Sequence, residues 1–242
     1  MTTESHRLKV GGLEIEVRRK AIKNLHVGVY PPDGKVRVAA PLRLDAEAIR
    51  LAVISRLPWI RRQKASLQAQ ERHSEREMVT GECHYVDGIP HRLDLVERDA
   101  PARVRLSGSR TLELQVRPGT DRDKRDAILR EWYRQRLRQQ LRNLVPAWQK
   151  RTGVSVKEVG IKKMKTLWGS CNPEAGRIWL NLELAKKPPS CVEFILVHEM
   201  THMLERNHTA RFEGLMDSYL PNWRSARDRL NQLPLGHESW EY

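Results

Sequence analysis

The chain has 242 residues, of which 39% are hydrophobic, enough to bury one large core or two small ones and too apolar for a disordered chain. Its net charge of +14 attracts polyanions such as nucleic acid, nucleotides or acidic protein surfaces, or else only solvates helix faces. No apolar run reaches bilayer length, the start MTTESHRLKV lacks the apolar segment of a secretory signal, and Cys83, Cys171 and Cys191 form no CxxC pattern. These features argue against a membrane span, a zinc ribbon or a disulfide scaffold, and the expectation is a reduced, cytoplasmic protein with no membrane partner.

In chain order, LEIEVRRK, NLHVGVY and KVRVAAP alternate apolar and polar residues and read as strands, with YPPDGK as a hairpin turn between the last two. From Asp45 to about Arg72 the pattern is helical, with Pro58 separating two helices. GIPHRLDLVE, ARVRLSG and TLELQVRPG return to period two. A long helix is expected from Arg122 to Lys150, with Trp132 and Leu137 on its inner face and Pro146 breaking its last turn. VSVKEVGIKKM, TLWGSC and GRIWLNL read as three more strands, followed by helices starting near Ser190, His208 and Asn222. No internal repeat is visible. The expected organisation is a β-rich region over 1–120 and a second domain over 121–242 that includes the long helix.

Chemistry concentrates in VHEMTHMLERNH, Val197 to His208. Ser190 as N-cap and Glu193 three residues on suggest a capping box, and no Gly or Pro interrupts the helix that follows. Residues four apart on a helix are offset by about 40°, so the imidazoles of His198 and His202 can share one metal ion. Glu199, about 100° away from His198, reaches the open coordination position without being a ligand. Two histidines alone hold zinc weakly. His208 supplies a third if Asn207 takes the left-handed conformation and turns the chain back. Three neutral imidazoles around Zn²⁺ leave a position for water, which an adjacent carboxylate can deprotonate. The same spacing occurs in metzincins, which need a glycine where this chain has Glu205, so the turn must be made differently.

Upstream, Gly169 of TLWGSC permits close backbone approach, while Trp168, Ser170 and Asn172 offer substrate-binding groups near the reacting centre. Cys171 and Cys191 are read as packing residues. Cys83, His84 and His91 match no metal-ligand spacing. The basic cluster Lys157, Lys162, Lys163 and Lys165 either guides an anionic substrate or is simply solvated.

MKTLWGSC, then IWLNLELAKKPPSCVEFILVHEMTHMLERNHTARF, then LPNW, resemble the YgjP-like family of bacterial zinc-dependent metallopeptidase-like proteins, related to SprT-like and other DNA-associated proteases. PWI and GECHYVDGIPHRL extend the likeness over nearly the whole chain. The resemblance implies His198, His202 and His208 as zinc ligands and Glu199 as general base. Leu167 departs from the family's usual arginine before WGSC. The expected fold is α+β, a zincin-like catalytic core with a β-rich N-terminal region. The expected function is a one-zinc peptidase acting on peptides or proteins. Hydrolysis of nucleotides or other phosphoanhydrides, and a nucleic-acid-associated protease or binding protein, are the alternatives.

Overall fold

The computed structural model describes residues 5–30, 34–69, 76–164 and 167–232. Pro31, Pro32 and Asp33 of the expected hairpin turn, and Lys165 of the basic cluster, lie outside the described residues. The fold is α+β. Two compact units divide the chain between residues 73 and 74.

The first unit is a four-stranded sheet backed by two helices. Its strands are β1 (Ser5–Val10), β2 (Leu13–Lys20), β3 (His26–Tyr30) and β4 (Lys35–Pro41), in spatial order β1-β2-β4-β3. β2 and β4 run parallel; the outer pairs are antiparallel. Alternation sends Ile15, Val17, Val36 and Val38 to one face, where Ile49, Val53 and Ile60 close the core. The last three come from α1 (Ala46–Ile54), capped by Asp45, and α2 (Leu57–Ala69), whose second residue is Pro58. A proline in the first turn of a helix forfeits no internal hydrogen bond, so the break falls before it as expected.

The second unit opens with β5 (Cys83–Val86), β6 (Ile89–Glu97), β7 (Arg103–Ser107) and β8 (Thr111–Val116), in spatial order β5-β6-β8-β7. Again the central pair is parallel and the outer pairs antiparallel. The four-strand layout therefore occurs twice, a doubling of topology that no sequence repeat announces. Each copy starts with a two-residue hairpin whose central residues both have positive φ, Gly11–Gly12 in the first and Asp87–Gly88 in the second. Such turns match the twist of the flanking strands.

α3 (Arg122–Thr152) packs on this second sheet. Leu129, Tyr133 and Leu137 share one core with Leu93, Leu112 and Leu114, and partly buried Trp132 packs against it. Tyr133 donates its hydroxyl to the Tyr85 carbonyl at 2.8 Å. This packing is why the compact units part near residue 74, whereas the sequence reading placed the division near 120. α3 also runs through Pro146 and stops only at Gly153, with φ 70. Pro146 is exposed, so the Arg142 carbonyl that loses its helical donor lies on the solvent side and the helix tolerates it.

A three-stranded sheet follows, formed by β9 (Glu158–Lys162), β10 (Gly169–Asn172) and β11 (Arg177–Asn181) in order β10-β11-β9. After a 3₁₀ turn (Leu182–Lys186) come α4 (Pro189–Thr201), α5 (Ala210–Tyr219) and α6 (Trp223–Gln232). α4 lies against β10 and β11, with α3, α5 and α6 around it. Among the described residues no helix is long and apolar enough to cross a membrane.

Candidate metal centre

Helix α4 does not begin as the capping-box reading expected. Its N-cap is Pro188, with no side-chain cap, and Pro189 occupies the first turn. Proline there supplies a helical φ and lacks the N–H that would go unpaired. Ser190 lies within the helix, and Glu193 accepts a hydrogen bond from the Trp148 indole at 3.0 Å. The 3₁₀ turn that leads into α4 is pinned from outside: the Asp87 and Gly88 amides donate to the carbonyls of Ala185 and Lys186 at 3.2 and 3.1 Å.

The other end of α4 carries the histidines. His198 and Glu199 lie in its last turn, and His202 is the C-cap with helical backbone, its amide bonded to the His198 carbonyl at 3.1 Å. The chain then turns without Asn207 entering the left-handed region. Tight bonds from Met203 to Met200 and from Leu204 to Thr201 make the bend instead. Thr209 starts α5 by accepting from the Phe212 amide at 3.3 Å. Glu205, standing where metzincins have glycine, contributes its backbone: its carbonyl accepts from His202 Nδ1 at 3.1 Å. That bond fixes the tautomer and leaves the His202 Nε2 lone pair free. The Glu205 carboxylate lies 4.0 Å from Arg211.

The candidate ligand atoms of His198, His202 and His208 all lie within 4.8 Å of one another. His198 Nε2 is 3.1 Å from Nε2 of His202 and equally 3.1 Å from Nε2 of His208. One ring nitrogen carries one proton or one lone pair and cannot serve both contacts as hydrogen bonds. A shared cation satisfies all three, since nitrogens at zinc-ligand distance on a tetrahedron are about 3.3 Å apart. Phe212 floors the cluster, its ring 5.0, 4.6 and 4.8 Å from those of His198, His202 and His208. Among the described residues no other such group of potential ligands occurs. His84 instead meets Glu82 at 3.2 Å, and His91 Nδ1 donates to the Ile89 carbonyl at 2.9 Å.

A family profile described as "YgjP-like, metallopeptidase domain" matches residues 24–233. The chain belongs to the YgjP-like family. Among solved structures, the crystal structure of the metallopeptidase zymogen of Pyrococcus abyssi abylysin aligns at 18% identity over 39% of this chain and 98% of that one. Its TM-score is 0.36, too loose a likeness to transfer fold or site. No curated protein matches the sequence.

In this YgjP-like metallopeptidase domain, burial sets the charge states. It pushes the His198 imidazole down to about 4, helped by the other two histidines, so the ring is a neutral donor at ordinary pH. Burial pushes the Glu199 carboxyl up to about 7; a dication held by the neighbouring rings opposes that rise by attraction. His198 Nδ1 is a buried atom with no hydrogen-bond partner among the described residues.

β10 supplies the wall opposite Glu199. A Cβ at Gly169 would fall 2.7 Å from Glu199 Oε1 and 2.9 Å from Ile195 Cγ2. Successive strand residues face opposite sides. Gly169 and Cys171 thus face α4, while Ser170 and Asn172 face away, so the expected polar groups from these two do not point at Glu199. Asn172 accepts from the Ala175 amide at 3.0 Å and shapes the turn to β11. Cys171 is the β10 side chain on the Glu199 side, its thiol pushed up to about 11 by burial and then by the carboxylate. Trp168 lies one residue before the strand, its ring 5.5 Å from the Lys187 ammonium, and Leu167 is 55% exposed beside it. Cys191 is buried and packs against α6, as expected.

Sequence reasoning missed Asn181. This buried residue donates to the carbonyls of Met164 and Leu167 at 3.0 and 2.8 Å and accepts from the Met164 and Glu183 amides. It ties the approach to β10 onto the end of β11. The available signal was a lone polar residue ending the apolar run IWL.

Proposed function

We propose that the chain is a zinc-dependent peptidase in which His198, His202 and His208 hold one ion and Glu199 is the general base. The convergence of three imidazole nitrogens, with Glu199 beside them on the same helix, is the observation that supports this reading. When bound, zinc supplies Lewis-acid polarisation of the scissile carbonyl and acidifies water. His202 is oriented by the Glu205 carbonyl, and Phe212 packs against all three rings. Glu199, 6% exposed, takes the proton of the attacking water and returns it to the departing amine. Its lodging against Gly169 restricts the carboxylate to one side of the site. The metallopeptidase family favours a peptide or protein substrate over the phosphoanhydride and nucleic-acid alternatives.

Metal analysis of protein prepared without a histidine tag, joined to a peptide-library screen, tests the proposal. The expected result is one zinc per chain and peptide cleavage. Glu199→Gln is expected to keep the zinc and lose turnover. Full activity in that variant would remove Glu199 from its role.

A further inference from the structure

Lys157, Lys162 and Lys163, the described part of the basic cluster, lie at and beside β9, away from the metal centre, since β9 and β10 are opposite edges of the three-stranded sheet. Among the described residues β9 pairs only with β11, in parallel. The Lys157 and Glu158 amides both donate to the Gly176 carbonyl. In a parallel ladder alternate residues bond to the same neighbour. Gly160 and Lys162 therefore follow Glu158 toward β11, while the amide and carbonyl of Val159 and Ile161 point outward. No hydrogen bond among the described residues engages those four groups.

The outward edge opens into a groove of 540 Å³ between β9 and α3, within the usual range for ligand clefts. Leu141 and Val145 of α3 form one apolar wall. The other is the indole of Trp179, paired with Gly160 across the ladder. Any Cβ at Gly160 would overlap that ring, so glycine lets the indole lie across β9 to its free side. Arg138, Arg142 and Lys157 stand on the rim, and Lys162 lies 4.9 Å from the Trp179 ring. Glu158, the acidic residue of the rim, is held by Arg177 at 2.7 Å.

We propose that the free edge of β9 binds an extended, acidic peptide segment, which adds as a further strand between α3 and Trp179. Outward backbone groups of Val159 and Ile161 supply the ladder, the two walls receive alternate side chains, and the basic rim selects glutamate and aspartate. The same positive charge repels a second copy of this edge.

Fluorescence anisotropy with the full-length protein tests the proposal, using a labelled peptide that alternates Val and Glu. An alternating Val–Lys peptide and a short oligothymidylate serve as comparators. The Val–Glu peptide is expected to bind and the Val–Lys peptide not to. Arg142→Glu with Lys157→Glu is expected to weaken binding about tenfold or more. Val159→Pro, which removes one outward amide at an edge position where proline is tolerated, is expected to weaken it comparably, with circular dichroism and metal content unchanged. If Val159→Pro does not fold, the charge-reversed variant decides alone. The proposal is overturned if the Val–Glu peptide does not bind, if the charge-reversed variant binds it as well as the native protein, or if oligothymidylate displaces it with equal or higher affinity.

Discussion

Replacing Gly169 with alanine probes the wall opposite the proposed base. Gly169 has no left-handed backbone, so alanine meets no conformational strain and the effect is steric. The new methyl would sit 2.7 Å from Glu199 Oε1, 2.8 Å from its Cγ and 2.9 Å from Ile195 Cγ2. Ordinary carbon contacts are about 3.5–4.0 Å, so β10 and the Glu199 side chain must separate by about 1 Å. Rotating the carboxylate alone does not relieve this, because the Cγ methylene also clashes. Overpacking of this kind costs about 1–3 kcal/mol, and each kcal/mol lowers Tm by about 2–4 °C in a unit of this size. A misplacement of about 1 Å at a reacting group costs on the order of 10²-fold in rate. The expected outcome is a variant with full zinc content, a modestly lower Tm, and kcat/KM on a cleaved library peptide down about 100-fold. Unchanged Tm together with unchanged kcat/KM would refute the close packing of β10 on Glu199.

Asn181→Ala strips the anchor from the β10 approach and leaves buried backbone groups unpaired, costing on the order of 3 kcal/mol, measurable by denaturant unfolding. Thr209→Ala removes the cap of α5 next to His208, and about 1 kcal/mol is expected to be lost, with weaker zinc retention against a chelator. If the proposed zinc site holds, His208→Ala is expected to melt like the metal-free protein and to gain little from added zinc, whereas the native chain is expected to gain about 2.7 kcal/mol at a hundredfold excess over Kd, as read by thermal melts with and without zinc. Burial lowers the pKa of His84 below its ordinary 6.5, against the opposing pull of Glu82. The unfolded chain therefore binds the extra proton first, and stability is expected to fall as pH drops below about 6.5. His84→Phe should flatten that slope, as read by denaturant midpoints at pH 5 and pH 8.

The histidine cluster was legible because helical geometry alone brings His198 and His202 together, whatever packs around them. His208 was legible only as a residue close in sequence; the bend that presents it uses Thr201 and Met200 carbonyls, and no left-handed asparagine. Strands with a buried face, such as β2 and β8, announce themselves by alternation. β1 and β5 do not, since β1 buries only Val10 and β5 is only four residues long. Losing both first strands also hid the doubled layout, whose shared feature is a turn geometry and not a repeated wording. Ser170 and Asn172 show the sharpest limit: the face of a strand residue depends on register, and one step reverses it. The location of the unit boundary depended on which sheet α3 covers, a tertiary fact.

The thirteen residues of α4 make a rod about 20 Å long. Gly88 meets it at the start, so close to Pro188 that a Cβ would fall 2.6 Å from the proline ring; the imidazoles of His198 and His202 hang from its far end. On such a lever a tilt of about 3° at the pinned end carries the tip about 1 Å. A hairpin more than a hundred residues upstream, which touches neither ring, thus shares in aiming His198 and His202.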